Sequence, residues 1–155
     1  MAKWVVKTPA DYERARRAIQ DKIDKATKGA EGATLKALTD VAVDLLSRAA
    51  ERAPVETGDL RGSGYINING EDIAYSAVGS GGIIMAGTPA PSESKKNVAE
   101  VGFTAPYAFT QHEHVEFNHP IGGQAKYLES VVVERKEMWA KQLADSARDG
   151  FKGGG

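Results

Sequence analysis

The strongest constraint on the fold of this chain is a change of hydrophobic period at Pro54. Before this proline, apolar residues recur at helical spacing at Leu35, Leu38, Ala42, Leu45, Leu46, Ala49 and Ala53. A proline pushes the residue before it out of the helical region, so the pattern predicts a helix that ends here. After Leu60 apolar and polar residues alternate, which is typical of strands. The chain therefore passes from a helix to a sheet across residues 54–63.

This corner contains the residue types that such a turn needs. Gly58 permits a positive φ angle. Glu56 and Thr57 can bond backbone N–H groups. Leu60 is expected to enter the core, and Arg61 should follow in a strand and point away from the core. By itself, this segment is a connector between a helix and a sheet.

The N-terminal part of the chain predicts a separate first helix. Thr8 is a good N-cap, and Pro9 suits the first helical position. A narrow apolar stripe follows at helical spacing, at Tyr12, Ala15, Ile19, Ile23 and Ala26. Each glycine inside a helix costs about 1 kcal/mol. Gly29 and Gly32 therefore predict a break or a kink between this helix and the next.

Several strands are predicted after the corner. The Asn-Gly pair at 69–70 is the strongest short-range hairpin signal, here between strands at 62–68 and 72–78. A brief strand is predicted at 83–86 and a further one at 98–103. These strands are expected to form a small antiparallel sheet.

The remaining segments are loops and a last helix. Residues 79–97 combine Gly, Pro and Ser and predict a long loop, whereas 104–123 should be irregular or briefly helical. A final helix is predicted over 124–151. A strand start at Val131–Val133 is the alternative, because β-branched residues weaken helix propensity. Residues 152–155 should be a disordered glycine-rich tail.

Composition limits both the fold and the function. The 155 residues carry 20 basic and 21 acidic side chains, for a net charge of −1. A dedicated nucleic-acid or polybasic membrane-binding protein would have a basic excess. The absence of cysteine excludes disulfides and thiolate sites. We expect no signal peptide and no membrane span, and one α+β domain over 1–151, with N-terminal helices and a C-terminal helix packed on the sheet.

All three histidines lie within residues 112–119, together with two glutamates. Imidazole and carboxylate groups suit zinc or manganese. The spacing is poor, however, because it differs from the helical H-E-x-x-H arrangement, and no second ligand cluster completes the set. We therefore expect no metal, no cofactor and no catalytic residue. The alternative is a small metal-dependent hydrolase that uses His112, His114, Glu116 and His119.

Two motifs carry the strongest functional signal. The first is A-P-V-E-T-G-D-L-R-G-S at 53–63, and the second is V-G-F-T-A-P-Y-A at 101–108. The stretches at 111–113 and 119–129 are similar to the version in phage minor capsid proteins. On these residues the chain resembles, over residues 35–135, the gene-product-ten-like family of neck, minor capsid and tail-component proteins of tailed bacteriophages.

This resemblance implies a non-catalytic structural protein of the virion, made in the cytoplasm of the bacterial host. Such proteins form rings, commonly of six or twelve copies, at the head–tail junction. The ring links portal-connector or stopper proteins to tail-tube proteins, as a neck, tail-completion or tail-terminator component. DNA in the lumen would make at most non-specific contacts, which suits a near-zero net charge. A capsid-associated accessory protein outside the ring is the alternative.

The candidate contacts between subunits are of two kinds. Ile83, Ile84 and Met85 are too apolar to be left in water without a reason. An outward Arg61 would pair with an acidic group of the next subunit. The other polar candidates are His112, Glu113 and His119.

Overall fold

A computed structural model describes residues 9–55, 58–80, 82–94, 96–119 and 122–154. Within these ranges it contains two long helices and a four-stranded antiparallel sheet, which confirms the predicted α+β class. In chain order the elements are α1 (Pro9–Arg52), a 3₁₀ turn (Arg61–Ser63), β1 (Gly64–Ile68), β2 (Glu71–Ser76), β3 (Ile83–Met85), β4 (Ala99–Phe103), α2 (Ala108–Glu113) and α3 (Tyr127–Gly154). The predicted N-cap Thr8 lies outside the described residues, as do Glu56 and Thr57.

Helix α1 is continuous for 44 residues, so the predicted break at Gly29 and Gly32 is wrong. The reason is packing against α3. A Cβ atom on Gly150 of α3 would lie 2.5 Å from the carbonyl oxygen of Gly29, so the two backbones are very close there. Such packing outweighs the low helix propensity of glycine, which is only about 1 kcal/mol per residue. One N-terminal helix therefore replaces the two that the pattern predicted.

The strands lie in the order β3-β2-β1-β4, and each neighbouring pair is antiparallel. The predicted hairpin is confirmed, and Asn69 and Gly70 in its turn have φ angles of 55° and 91°. Two consecutive positive φ angles are typical of the type I′ turn that Asn-Gly favours. The strands predicted at 83–86 and 98–103 are also present, as β3 and β4.

Helix α1 lies between the sheet and α3. The cluster that it forms with the sheet contains Leu35, Ala42, Leu46, Ile66, Ile68, Ile73 and Ala74. On another side of α1, Ala49 packs against Val131 and Trp139 of α3. The indole N–H of Trp139 also donates to Asp44 Oδ2 of α1 at 3.0 Å. The C-terminal half of α1 is therefore covered by both the sheet and α3.

Helix α3 runs antiparallel to α1 and extends further than predicted. It continues to Gly154, so residues 152–154 are helical rather than a disordered tail, and Gly155 lies outside the described residues. Close packing reaches Gly150, and each further residue needs only one more helical hydrogen bond. Val131 is fully buried against α1, and this explains why the valine run is helical and not a strand start.

The predicted loop at 79–97 is held to the sheet at two places. Strand β3 pairs with β2 near its start. Further along, Asn69 Nδ2 donates to the Ala90 carbonyl at 2.8 Å and to Asn97 Oδ1 at 3.0 Å. The hairpin turn therefore also fastens the second half of this loop.

Candidate functional site

The corner between α1 and the sheet depends on a glycine with a positive φ angle, as predicted. Gly58 has a φ of +78°, and a Cβ atom there would lie 2.9 Å from the Cα of Gly79. The N–H of Gly79 donates to the Gly58 carbonyl at 3.4 Å. Leu60 is buried in the core, also as predicted. The corner is therefore closely packed against the segment that follows β2.

Arg61 does not point outwards, so that prediction is wrong. It lies in the 3₁₀ turn rather than in a strand, and its guanidinium folds back onto the end of α1. Nε donates to the Ala53 carbonyl at 3.0 Å, and Nη2 donates to the Glu51 carbonyl at 2.8 Å. The last carbonyls of a helix have no intrahelical partners, and Arg61 satisfies two carbonyl groups at this end.

The second motif lies directly beside the first. The N–H of Thr104 donates to the Ser63 carbonyl at 2.9 Å, and Gly64 pairs with Phe103 across β1 and β4. The Phe103 ring meets Tyr127 edge-to-face, with ring centroids 5.2 Å apart. The two motif segments therefore form one junction at this end of the sheet.

Tyr127 joins that junction to α3. Its hydroxyl donates to the Ala108 carbonyl at 2.8 Å. The side chain is only 2% exposed, and burial raises the pKa of Tyr127 to about 12. This tyrosine is therefore a neutral core residue, although the sequence places it in a polar stretch.

His112 and Glu113 hold the beginning of α3. His112 Nε2 accepts a hydrogen bond from the Glu129 N–H at 3.3 Å, so Nδ1 carries the proton and donates to Glu113 Oε1 at 2.7 Å. Lys126 Nζ donates to Glu113 Oε2 at 2.5 Å. The hydrogen bonds from Lys126 and His112 lower the pKa of Glu113. The hydrogen bond to Glu113 and one to Glu129 raise the pKa of Lys126.

The other histidines make separate contacts. His114 Nδ1 lies 2.6 Å from Glu116 Oε1, and its ring stacks on Phe117 at 4.8 Å. The hydrogen bond with His114 lowers the pKa of Glu116. Both ring nitrogens of His119 are buried without a hydrogen-bond partner among the described residues. Across the same residues, no three His, Asp or Glu side chains are arranged to hold a metal ion.

The three apolar candidates of β3 divide into two groups. Ile83 is half-buried and packs against the core. Ile84 and Met85 are 56% and 53% exposed, respectively. β3 is the outermost strand on its side of the sheet. Two of the three candidates are therefore free to contact another molecule.

The first part of α1 extends beyond its packing partners. We call residues 9–25 the arm. The described side chains of 13–25 are exposed except for half-buried Ala15, and the first buried one is Ala26. Ile19 and Ile23 of the arm are 60% and 50% exposed. The spacing of apolar residues in the sequence identifies this stripe. It does not show whether another part of the chain packs against it.

The side of the sheet away from α1 is polar, aromatic and acidic. We call Tyr65, Asn67, Asp72, Tyr75 and Glu100 the outer sheet face. Its groups are linked, since the Tyr65 hydroxyl donates to Glu100 at 2.5 Å and the Tyr75 hydroxyl donates to Asp72 at 3.0 Å. Hydrogen bonds from Asn67 and Tyr75 lower the pKa of Asp72. The charged residues of the four strands are all acidic.

A scan against protein-family models, a search of curated proteins and a search of solved structures each found no significant match. Among the described residues, no helix is both long enough and apolar enough to cross a membrane. The corner, the arm and the outer sheet face are therefore the features from which a function can be inferred.

Proposed function

We propose that this protein is a non-catalytic structural component of the head–tail junction of a tailed bacteriophage. It would act as a neck or tail-completion protein, with copies forming a ring between the portal-connector or stopper proteins and the tail tube. The observation that carries the proposal is the contact between the two motif segments, 53–63 and 101–108, at one end of the sheet.

This contact supports the proposal because the resemblance to phage proteins rests on the same two segments. They are distant in sequence, yet Thr104 of the second donates to the Ser63 carbonyl of the first, and Gly64, directly after the first segment, pairs with Phe103 of the second. Motifs that meet in the fold act as one unit. Here they set the position of a long helix relative to a sheet. This is a structural role, as expected for a component of an assembly.

The roles of the corner side chains also favour a structural protein. Leu60 fills the core, and Arg61 binds carbonyl groups at the end of α1. The Ser63 hydroxyl donates to the Leu60 carbonyl at 2.9 Å. These groups are used for packing and capping, and an active site would instead present such groups to a ligand.

Exposed apolar side chains support assembly with other molecules. Large exposed apolar or aromatic side chains outside the arm and β3 are Tyr75, Val78, Val98, Tyr107, Phe109, Val115, Phe117, Val132, Val133, Met138 and Phe151. Exposed apolar side chains that lie together are typical of surfaces that bind other proteins, and Ile19 and Ile23 of the arm lie one helical turn apart. A closed ring needs two different surfaces on each copy, which meet head to tail.

An amber mutation in the gene of the encoding phage tests this proposal. We expect DNA-filled heads and separate tails to accumulate in electron micrographs, and infectivity to be lost. A plasmid copy of the wild-type gene should restore joined particles, in which mass spectrometry detects the protein. Joined, infectious particles that lack the protein would overturn the proposal.

A further inference from the structure

We infer that the arm binds the outer sheet face of a second copy of this chain. The inference deepens the proposed ring by naming the two surfaces that meet. It rests on the proposed function only in assuming that copies of the chain contact one another. The chemistry of both surfaces supports it.

The arm presents an apolar stripe without a cover among the described residues. Ala15, Ile19 and Ile23 follow one another at intervals of four residues, which places them on one face of the helix. The stripe leads directly to Ala26, the first buried residue among the described side chains of α1. The arm therefore continues the packing face of α1 into solvent.

Basic side chains flank this stripe. Arg16 and Lys22 lie three residues before and after Ile19, so they border the same face. Arg16 is also 3.3 Å from Glu13. Asp21 is two residues from Ile19 and therefore lies on the far side of the helix. The docking face of the arm is thus apolar in the middle and basic at its edges.

The outer sheet face has the complementary composition. Tyr75 is opposite Ile84 in the pairing of β2 and β3, so an aromatic and an aliphatic side chain lie next to each other. Asp72 and Glu100 provide carboxylates on either side of β1. No Lys or Arg occurs between residues 62 and 94 of the sequence. Isoleucines of an arm can pack on the Tyr75 side, while its basic side chains meet the carboxylates.

The arm cannot reach the sheet of its own chain. The sheet packs on α1 at Leu35, Ala42 and Leu46, and α1 is one continuous helix. At 1.5 Å per residue, Ile19 lies about 24 Å along the axis from Leu35. The contact must therefore be intermolecular. It joins two different surfaces, so it is head to tail and can close into a ring.

Charge reversal tests the electrostatic part of the contact. The arm variant is Arg16→Glu with Lys22→Glu, and the sheet variant is Asp72→Lys with Glu100→Lys. We expect each variant alone to weaken self-association about tenfold in sedimentation equilibrium. Mixing the two variants should restore association, because each supplies the reversed partner of the other. Failure of the mixture to associate, with both variants folded by circular dichroism and thermal melting, would overturn the inference.

Matched reversals on the far side of the arm provide a control. Arg17→Glu with Lys25→Glu makes the same change of net charge on the same helix, but these residues are two positions from Ile19 and Ile23, respectively, and lie away from the stripe. This control should associate as wild type does. Equal weakening by the control and by the arm variant would mean that overall charge, rather than the proposed face, controls association.

Cross-linking tests the geometry directly. The chain has no cysteine, so Ala15→Cys in one preparation and Ile84→Cys in another each introduce a unique thiol. A short bismaleimide should join the two proteins when they are mixed. Lys141→Cys, at an exposed position of α3, replaces Ile84→Cys in the control and should give no product. Absence of the Ala15–Ile84 product at concentrations where the wild type associates would overturn the inference.

Two results separate this inference from the proposed function. Particles that still join when they carry the arm variant would overturn the arm contact but leave the head–tail assignment standing. Loss of joining by the arm variant, without any cross-link between copies, would also overturn it and would identify another virion protein as the partner. The amber mutation tests the head–tail assignment independently.

Discussion

Single residues at the corner control how α1 meets the sheet. Gly58 supplies a backbone conformation that other residues rarely adopt, and Arg61 binds two carbonyl groups at the end of α1. One residue permits the turn and the other secures it. Neither role involves a ligand, so substitutions at both positions should affect stability first.

Gly58→Val should destabilise the protein by about 1–2 kcal/mol or more, because the side chain would face both a positive φ angle and the backbone of Gly79. Urea denaturation followed by circular dichroism measures this. Gly79→Ala is a matched control, since φ is +82° there but no atom lies within 4 Å of the added Cβ. Gly79→Ala should lower the free energy of unfolding by less than Gly58→Val does. A wild-type melting curve for Gly58→Val would contradict the strained corner.

Arg61→Ala should lower the free energy of unfolding by about 1–3 kcal/mol, because it leaves two carbonyl groups without their charged donor. Arg61→Lys should recover only part of this, since an ammonium group lacks the planar fork of donors. Lys141→Ala, on the exposed side of α3, is the control. If both alanine variants melt alike, the capping role of Arg61 is wrong.

At the scale of elements, the start of α3 is held by a small polar cluster. His112, Glu113 and Lys126 connect the end of α2 to the first turn of α3. The sequence places these residues in a candidate metal stretch, and only the fold shows that they bind one another. Their contacts make the stability of this junction dependent on pH.

Acid should weaken this junction through Glu113. Its pKa is lowered in the folded protein, mainly by Lys126, so its contribution is complete above the unfolded-state pKa of about 4.3. The contribution is lost as the pH falls through the folded-state value. The stability difference between wild type and Glu113→Gln should therefore shrink from pH 7 to pH 3. Denaturation of Glu137→Gln is the control, and an unchanged difference for Glu113→Gln would contradict this role.

The segment 79–97 should be the chief adaptable element. Ile84 and Met85 are exposed on β3, whereas Asn69 fastens only the later part of the segment. Hydrogen exchange of its backbone amides outside the β2–β3 pairing should be fast in the free protein and slower in the assembly. The buried strand β1 serves as the internal control. Equal exchange of 79–97 in both states would contradict a contact with a neighbouring subunit.

At the scale of the whole molecule, we expect a monomer or weak oligomer in solution that closes into a ring on the particle. Helix α1 buries one apolar cluster with the sheet and another with α3, so we expect the chain to fold without partners. Native mass spectrometry of the purified protein and imaging of particles measure the two states. An isologous dimer in solution, with no ring in the particle, would contradict this prediction.

Local signals made part of the fold predictable. The Asn-Gly turn, the helix end before Pro54 and the positive φ of Gly58 each depend on a few neighbouring residues. The continuity of α1 was not predictable, because it depends on Gly150 at the other end of the chain. The inward turn of Arg61 was missed because it was expected in the strand, whereas β1 begins only at Gly64 and Arg61 lies in the 3₁₀ turn before it.

The candidate site was less predictable than the fold. Ile84 and Met85 could be identified because apolar residues in a Gly- and Pro-rich segment are conspicuous. The roles of His112 and Tyr127 could not, since both depend on contacts between α2 and α3. The arm would be buried in its own chain only if α3 extended along it. The hydrophobic period of the sequence does not show how far α3 extends.

Because α1 is continuous, a small change in its angle at the corner gives a large displacement at its N-terminal end. Its 44 residues span about 66 Å, so a tilt of about 5° at the corner moves the tip of the arm by about 6 Å. A substitution at the corner that alters this angle without unfolding the chain would displace the neighbouring subunit, although no contact residue had changed. In the proposed ring, the angle between α1 and the sheet at the corner would therefore set the curvature of the assembly, although the arm that makes the contact lies at the other end of the helix.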